Sequence, residues 1–207
     1  IEKSEYLARL DLSLEALKDR LHLPRVEDLT AILPLRALKS IKSLVPMSAD
    51  ILLYFIRRIK TLDGRLPFAN IKIQMVKIDP RHLKIGQRFV YRENYQELLE
   101  NVPNIFHRFL ISNGGLGDLG AYLVFGDDET GNYALACYVP PIIERHNPDM
   151  VIMDGIHRNY IAKQAGHALN AILVDDIILP FPCAAKDWSE IQVIPLNQKP
   201  KDINERY

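Results

Sequence analysis

The sequence predicts an α/β protein of the α+β kind, a small mixed sheet with flanking helices, preceded by a helical N-terminal region. Three observations carry that expectation. Apolar residues recur at spacings of three and four through the first third of the chain. From Ile71 onward short runs rich in β-branched residues replace them. Residues 150–174 then read as strand, turn, helix and strand in succession. The expected organisation is a helical region over residues 1–70, an α/β body over 71–182 with an inserted loop and hairpin at about 101–138, and an extended tail over 183–207.

In the first region Leu7, Leu10, Leu14, Leu17 and Leu21 line one face of a helix that Pro24 closes. Leu29, Ile32 and Leu33 suggest a short helix stopped by Pro34. Leu35, Leu38, Ile41, Leu44 and Val45 suggest another, ended by Pro46. Ser48 is an N-cap candidate for a helix that turns Ile51, Leu52, Phe55, Ile56 and Ile59 inward. A turn at Asp63-Gly64-Arg65 and Pro67 marks the boundary. Beyond it, Ile71 to Ile78 reads as a strand ended by Asp79-Pro80, Phe89-Val90-Tyr91 as a short extended piece, and Glu93 to Glu100 as a helix. Tyr122–Phe125 and Tyr133–Val139 flank a polar turn and form a hairpin. The strand at 150–153, the helix at 157–165 with Gly166 as its left-handed C-cap, and the strand from Ala171 to Val174 follow.

The bulk properties narrow the classes. Lys+Arg and Asp+Glu both number 26, so no net field draws the whole molecule to DNA or anionic lipid. No apolar run approaches the roughly 20 residues that span a bilayer, so no membrane partner is expected. The first residues lack the apolar core of a signal peptide, and Cys137 and Cys183 stand outside any CxxC pair. Both read as reduced thiols, which points to a cytoplasmic protein.

The densest chemistry lies at Asp154-Gly155-Ile156-His157-Arg158, between the apolar run Met150–Met153 and a helix. Free N–H groups and the positive end of a helix gather anions. Gly155 lets the backbone approach a ligand closely. An imidazole and a guanidinium in a first helical turn oppose the macrodipole, at a cost of a few tenths of a kcal/mol that a bound phosphate removes. Arg158 can bond such an anion in bidentate fashion. Asp154 can hold a Mg²⁺, orient His157 or act as a base. An ordinary β–α junction, with Asp154 as cap and Arg158 paired to a nearby acid, stands beside that reading.

Residues 139–174 resemble the ParB/sulfiredoxin superfamily: Val139-Pro140-Pro141-Ile142, a following strand, the Asp154–Arg158 run, a helix ending at Gly166, and the strand from Ala171 to Val174. Ile73 to Asp79 is similar to the opening strand of that family, and Glu93 to Glu100 to the helix after it. The resemblance covers roughly half the chain and implies a ParB/sulfiredoxin-like mixed sheet whose Gly-x-His-Arg turn holds nucleotide phosphates. Sulfiredoxins carry a catalytic cysteine where this chain has Ile156, so sulfinic-acid reductase activity is not expected. Segregation-type ParB proteins carry Gly-x-Arg-Arg and Glu-Asn-x-x-Arg, whereas here His157 replaces the first arginine and Glu93-Asn94-Tyr95-Gln96-Glu97 lacks the last. The motif is closest to free-serine kinases, which implies phosphate-binding by Gly155, Ile156, His157 and Arg158, and catalytic help from Asp154 and His157. Glu93 or Glu97 is the candidate base by position. The implied ligands are Mg²⁺ with ATP or another nucleoside triphosphate, and a small hydroxyl substrate; phosphoryl transfer or nucleotide hydrolysis is the reaction.

A DNA-associated role is the alternative. Arg36, Lys39, Lys42, Arg57, Arg58 and Lys60 face only Asp50 over residues 36–60, and three helices there could form a helix-turn-helix. The loop Asn113 to Gly120 is glycine-rich but lacks the Gly-Lys-Ser/Thr ending of a phosphate loop, so turn or lid chemistry is the favoured reading. His82, His107, His146 and His167 show no metal-ligand spacing.

Overall fold

A computed structural model describes residues 9–10, 13–21, 25–100, 120–177 and 183–207. Leu7, the loop from Asn113 to Leu119, and His107 lie outside them, while Arg9–Leu10 is a strand where the leucine spacing predicts helix. The chain divides into two compact units, each assembled from separate stretches. One comprises residues 60–119 and 140–207 with the first nine, and the other residues 10–59 and 120–139. The architecture is mixed α/β, as expected.

The unit formed by residues 10–59 and 120–139 is built on a four-stranded sheet. Its order is Ala31–Ile32, Tyr133–Tyr138, Tyr122–Asp127, Ser40–Pro46. The hairpin expected over 121–139 forms, with Tyr122 opposite Tyr138 and Asp127 opposite Tyr133. It pairs with the N-terminal segment of the chain, where two expected helices are absent. Ala31–Ile32 runs parallel to the hairpin, and Ser40–Pro46 runs antiparallel to it. The misreading of Ser40–Pro46 has a physical cause. Ile41 faces Gly126 and Ser43 faces Phe125, so Lys42 is an extra residue in a bulge. The bulge breaks the two-residue alternation and leaves Ile41, Leu44 and Val45 inward at a helix-like spacing.

Two helices join this unit. Ser13 Oγ accepts from Ala16 N–H at 3.1 Å and starts Leu14–Lys18. Ser48 Oγ accepts from Ile51 N–H at 3.3 Å and starts Ala49–Ile56, the cap the sequence indicated. Leu17, Leu21, Val26, Leu29, Phe55, Leu123, Phe125 and Leu135 form the core. Each such side chain contributes on the order of 1.5–3 kcal/mol by leaving water.

The other unit holds a five-stranded mixed sheet, in the order Lys72–Ile78, Leu169–Asp175, Ile142–His146, Asp149–Asp154, Lys84–Ile85. Neighbours alternate antiparallel, parallel, antiparallel, parallel along that order. Ala171, Ile172, Leu173 and Val174 are all buried, so this strand is covered on both faces and reads as a continuous apolar run. Ile142–His146 was missed by periodicity because its apolar pair is followed by the buried polar Glu144.

Helix Ile156–Ala165 ends on Gly166 at φ +69, as expected of a left-handed cap. Its Ile156 joins Leu83, Ile85, Val90, Ile143, Ile152, Ala171 and Leu173 in the core. A second helix covers residues 92–100. The C-terminal segment is more structured than a surface tail. Gln192–Ile194 runs parallel to Phe89–Tyr91, Lys186 bridges to Ile85, and short 3-10 turns follow. Trp188 anchors it, with its Nε1–H donating to Pro80 O at 2.8 Å. Among the described residues, no helix is long and apolar enough to cross a membrane.

Candidate functional site

The edge of the candidate site is set by a second bulge. Ile142 faces Asp154 while Ile143 faces Ile152, so Met153 is the extra residue just before the turn. Bulges of this kind re-aim the side chains that follow them. Gly155 then takes φ +82 and caps helix Ile156–Ala165 with no side-chain acceptor for the first-turn amides. A Cβ there would sit 2.9 Å from Pro141 Cβ and 3.0 Å from Arg158 Nη2. The guanidinium therefore lies over the glycine, at the uncapped end of the helix.

Arg158 is 20% exposed, and its Nη2 stands 3.3 Å from Asp154 Oδ2. The carboxylate is 64% exposed. An ion pair this long, with one partner in solvent, contributes little. It leaves Asp154 accessible to a cation.

His157 sits differently from the expectation of a charged phosphate ligand. Its Nε2 accepts the Tyr91 backbone N–H at 2.9 Å, and the two rings lie 5.8 Å apart. Burial pushes the imidazole down to about 4. Asp154 opposes that shift, while the charges of Arg158 and Lys199 reinforce it. The ring is neutral at pH 7 with its proton on Nδ1, so it can donate one hydrogen bond and carries no charge.

This depression carries a pH dependence. The unfolded chain takes the proton near 6.5 and the folded chain only near 4. Stability on this account is full above pH 6.5, falls as acid is added through that window, and levels off below 4. In an NMR titration the His157 ring is expected to hold its neutral shifts down to about pH 5. A midpoint near 6.5 would show that the Tyr91 contact does not hold the ring.

Two residues of the site escaped the sequence reading. Asn159 is fully buried, and its Nδ2 donates to Gly155 O at 3.0 Å beside the Asn159 backbone N–H at 3.0 Å. This double contact fixes the carbonyl of the turn. Among the described residues no partner stands on Asn159 Oδ1. A buried asparagine on a helix face was the available signal. Tyr91 could not be found that way, because its role rests on a tertiary backbone contact.

Glu93, the candidate base, is otherwise engaged: its Oε2 accepts Leu196 N–H at 2.7 Å and fastens the C-terminal segment. Glu97 lies one turn further along the same helix. His146 Nε2 bonds the buried Glu144 Oε2 at 2.7 Å. Asp175 and Asp176 pair with Arg145 at 2.9 Å and Lys72 at 2.8 Å. Among the described residues, no three His, Cys, Asp or Glu side chains gather as a metal cage. Mg²⁺ is commonly held by one carboxylate with substrate phosphates and water, which Asp154 suits.

The helix-turn-helix expected over residues 36–60 is not present, since Ser40–Pro46 is a strand. Of its six cations, Lys39 pairs with Glu129 at 2.9 Å and Lys42 with Asp127 at 2.5 Å. Arg58 lies 4.1 Å from the centre of the Tyr54 ring, and Arg20 lies 3.9 Å from it.

Comparison with protein-family models, curated proteins and solved structures found no match.

Proposed function

We propose that the turn Asp154–Arg158 binds the phosphates of ATP or another nucleoside triphosphate. The bound nucleotide would serve phosphoryl transfer to a small hydroxyl substrate, or hydrolysis. One observation carries this reading: the Arg158 guanidinium lies over a left-handed glycine at a helix N-terminus that has no side-chain cap. The first-turn amides and Arg158 are the anion donors, and the neutral His157 adds an Nδ1–H. Asp154 is the carboxylate open to Mg²⁺. When bound, that ion supplies charge neutralisation on the transferring group. The similarity to the ParB/sulfiredoxin superfamily supports the same assignment, with the kinase branch nearest in motif.

Titration calorimetry with ATP, ADP and CTP in the presence of Mg²⁺ tests the proposal. Arg158→Gln is expected to weaken nucleotide binding about tenfold to a hundredfold, the scale of a lost charge-assisted hydrogen bond. Asp154→Asn should spare Mg²⁺-free binding and reduce phosphate release. Absence of heat with all three nucleotides would end the proposal.

A further inference from the structure

A cavity of about 80 Å³ is lined by Gln87, Phe89, Tyr91, Lys199, Arg206 and Tyr207. Its cations are the unusual feature. Arg206 Nε donates to Pro200 O at 2.9 Å and its Nη2 to Lys201 O at 3.3 Å. Two carbonyls thus orient the guanidinium without neutralising it. Lys199 Nζ lies 5.4 Å from the centre of the Tyr91 ring. Among the described residues, neither Lys199 nor Arg206 has a carboxylate partner. Asp202, in the same segment, turns to the backbone, its Oδ1 accepting Asn204 N–H at 2.8 Å.

Two like charges converging on one cavity repel each other, and an anion between them removes that cost. A guanidinium held by its Nε and one terminal nitrogen keeps further N–H donors for an oxyanion. The volume lies far below the roughly 300–1,000 Å³ of pockets for drug-sized ligands. It suits a single small group.

We propose that this cavity is a binding site for a small oxyanion, a phosphate group, held by Lys199 and Arg206 over the Tyr91 and Phe89 rings. The group is free phosphate or one phosphate of a larger nucleotide. The assignment does not depend on phosphate binding at the Asp154–Arg158 turn, although Tyr91 contributes to both places.

The test follows the Gln87 side-chain amide by ¹⁵N-correlated NMR during separate titrations with inorganic phosphate and with Mg-ATP. Phosphate is expected to shift that signal saturably in the wild type and in Arg158→Gln. Lys199→Gln should weaken the response about tenfold or more, as for one lost charge-assisted contact. Lys199 is exposed and its replacement is not expected to disturb folding, which Trp188 emission verifies. An unchanged response in Lys199→Gln overturns the site, as does loss of the response in Arg158→Gln. If Mg-ATP shifts Gln87 at lower concentration than phosphate does, the bound group belongs to the nucleotide. The reverse order identifies the free anion. Failure of ATP binding at Arg158 with an intact phosphate response at Gln87 removes the turn assignment and leaves the cavity.

Discussion

Replacing Gly155 by alanine is expected to destabilise its unit by about 3 kcal/mol, joining a left-handed penalty of roughly 1–2 kcal/mol to overpacking of roughly 1–3 kcal/mol. The backbone there stands at φ +82, and the new methyl would meet Pro141 Cβ at 2.9 Å and Cγ at 3.0 Å. Pro141 cannot easily retreat, because its ring is rigid and its carbonyl accepts Ile172 N–H at 2.8 Å. Arg158 Nη2, at 3.0 Å from the methyl, can move, and in moving it leaves the helix end. Nucleotide binding should therefore fall together with stability. Trp188, the one tryptophan in the chain, reports unfolding of this unit in urea. Gly166→Ala is the control, since its φ is +69 with nothing within 4 Å of the added atom. If both variants melt alike, the packing against Pro141 is not what requires the glycine.

Gly126→Ala should cost about 3 kcal/mol or somewhat more, since overpacking against backbone lies at the upper end of such effects. The added carbon would lie 1.9 Å from Ser40 O and 3.0 Å from Ser40 C. This carbonyl belongs to a strand that is pinned on either side. Lys39 N–H donates to Asp127 O at 2.9 Å, and Ser40 Oγ donates to Asp127 Oδ2 at 2.9 Å. Accommodation requires the two strands to part at the bulge. Cys137 supplies the readout, because burial pushes its thiol up to about 12 and protects it from alkylation while the sheet is closed. Mass spectrometry after brief alkylation should show faster modification of Cys137 in the variant. Gly120→Ala, with open space around the added carbon, should label at the wild-type rate.

The legible parts of the fold were those with local causes. Ser48 and its helix, the Lys72–Ile78 strand, the Leu169–Asp175 strand and the Gly166 cap all follow from caps, periodicity and composition within a few residues. Ser40–Pro46 was illegible because its bulge imitates helical spacing, and Ile142–His146 because a buried glutamate interrupts its apolar run. The pairing of the hairpin with residues 31–46 has no local signature at all. The candidate site divides in the same way. The glycine between an apolar strand and a helix was visible, and so were its neighbours His157 and Arg158. The Tyr91 N–H that bonds His157 and the Lys199 charge that acts on its ring come from segments far apart in sequence. The clamp of Glu93 on Leu196 is equally non-local, which is why position alone made it a candidate base.

The split construction of the sheet bears on how the chain comes off the ribosome. Ser40–Pro46 emerges long before Tyr122–Asp127, the strand that pairs with it. At roughly 5–20 residues per second, translation of the intervening stretch lasts on the order of 4–16 seconds. During that interval Ile41, Leu44 and Val45 have no hairpin to cover them, and a nascent chain stalled there would be a natural client for a chaperone.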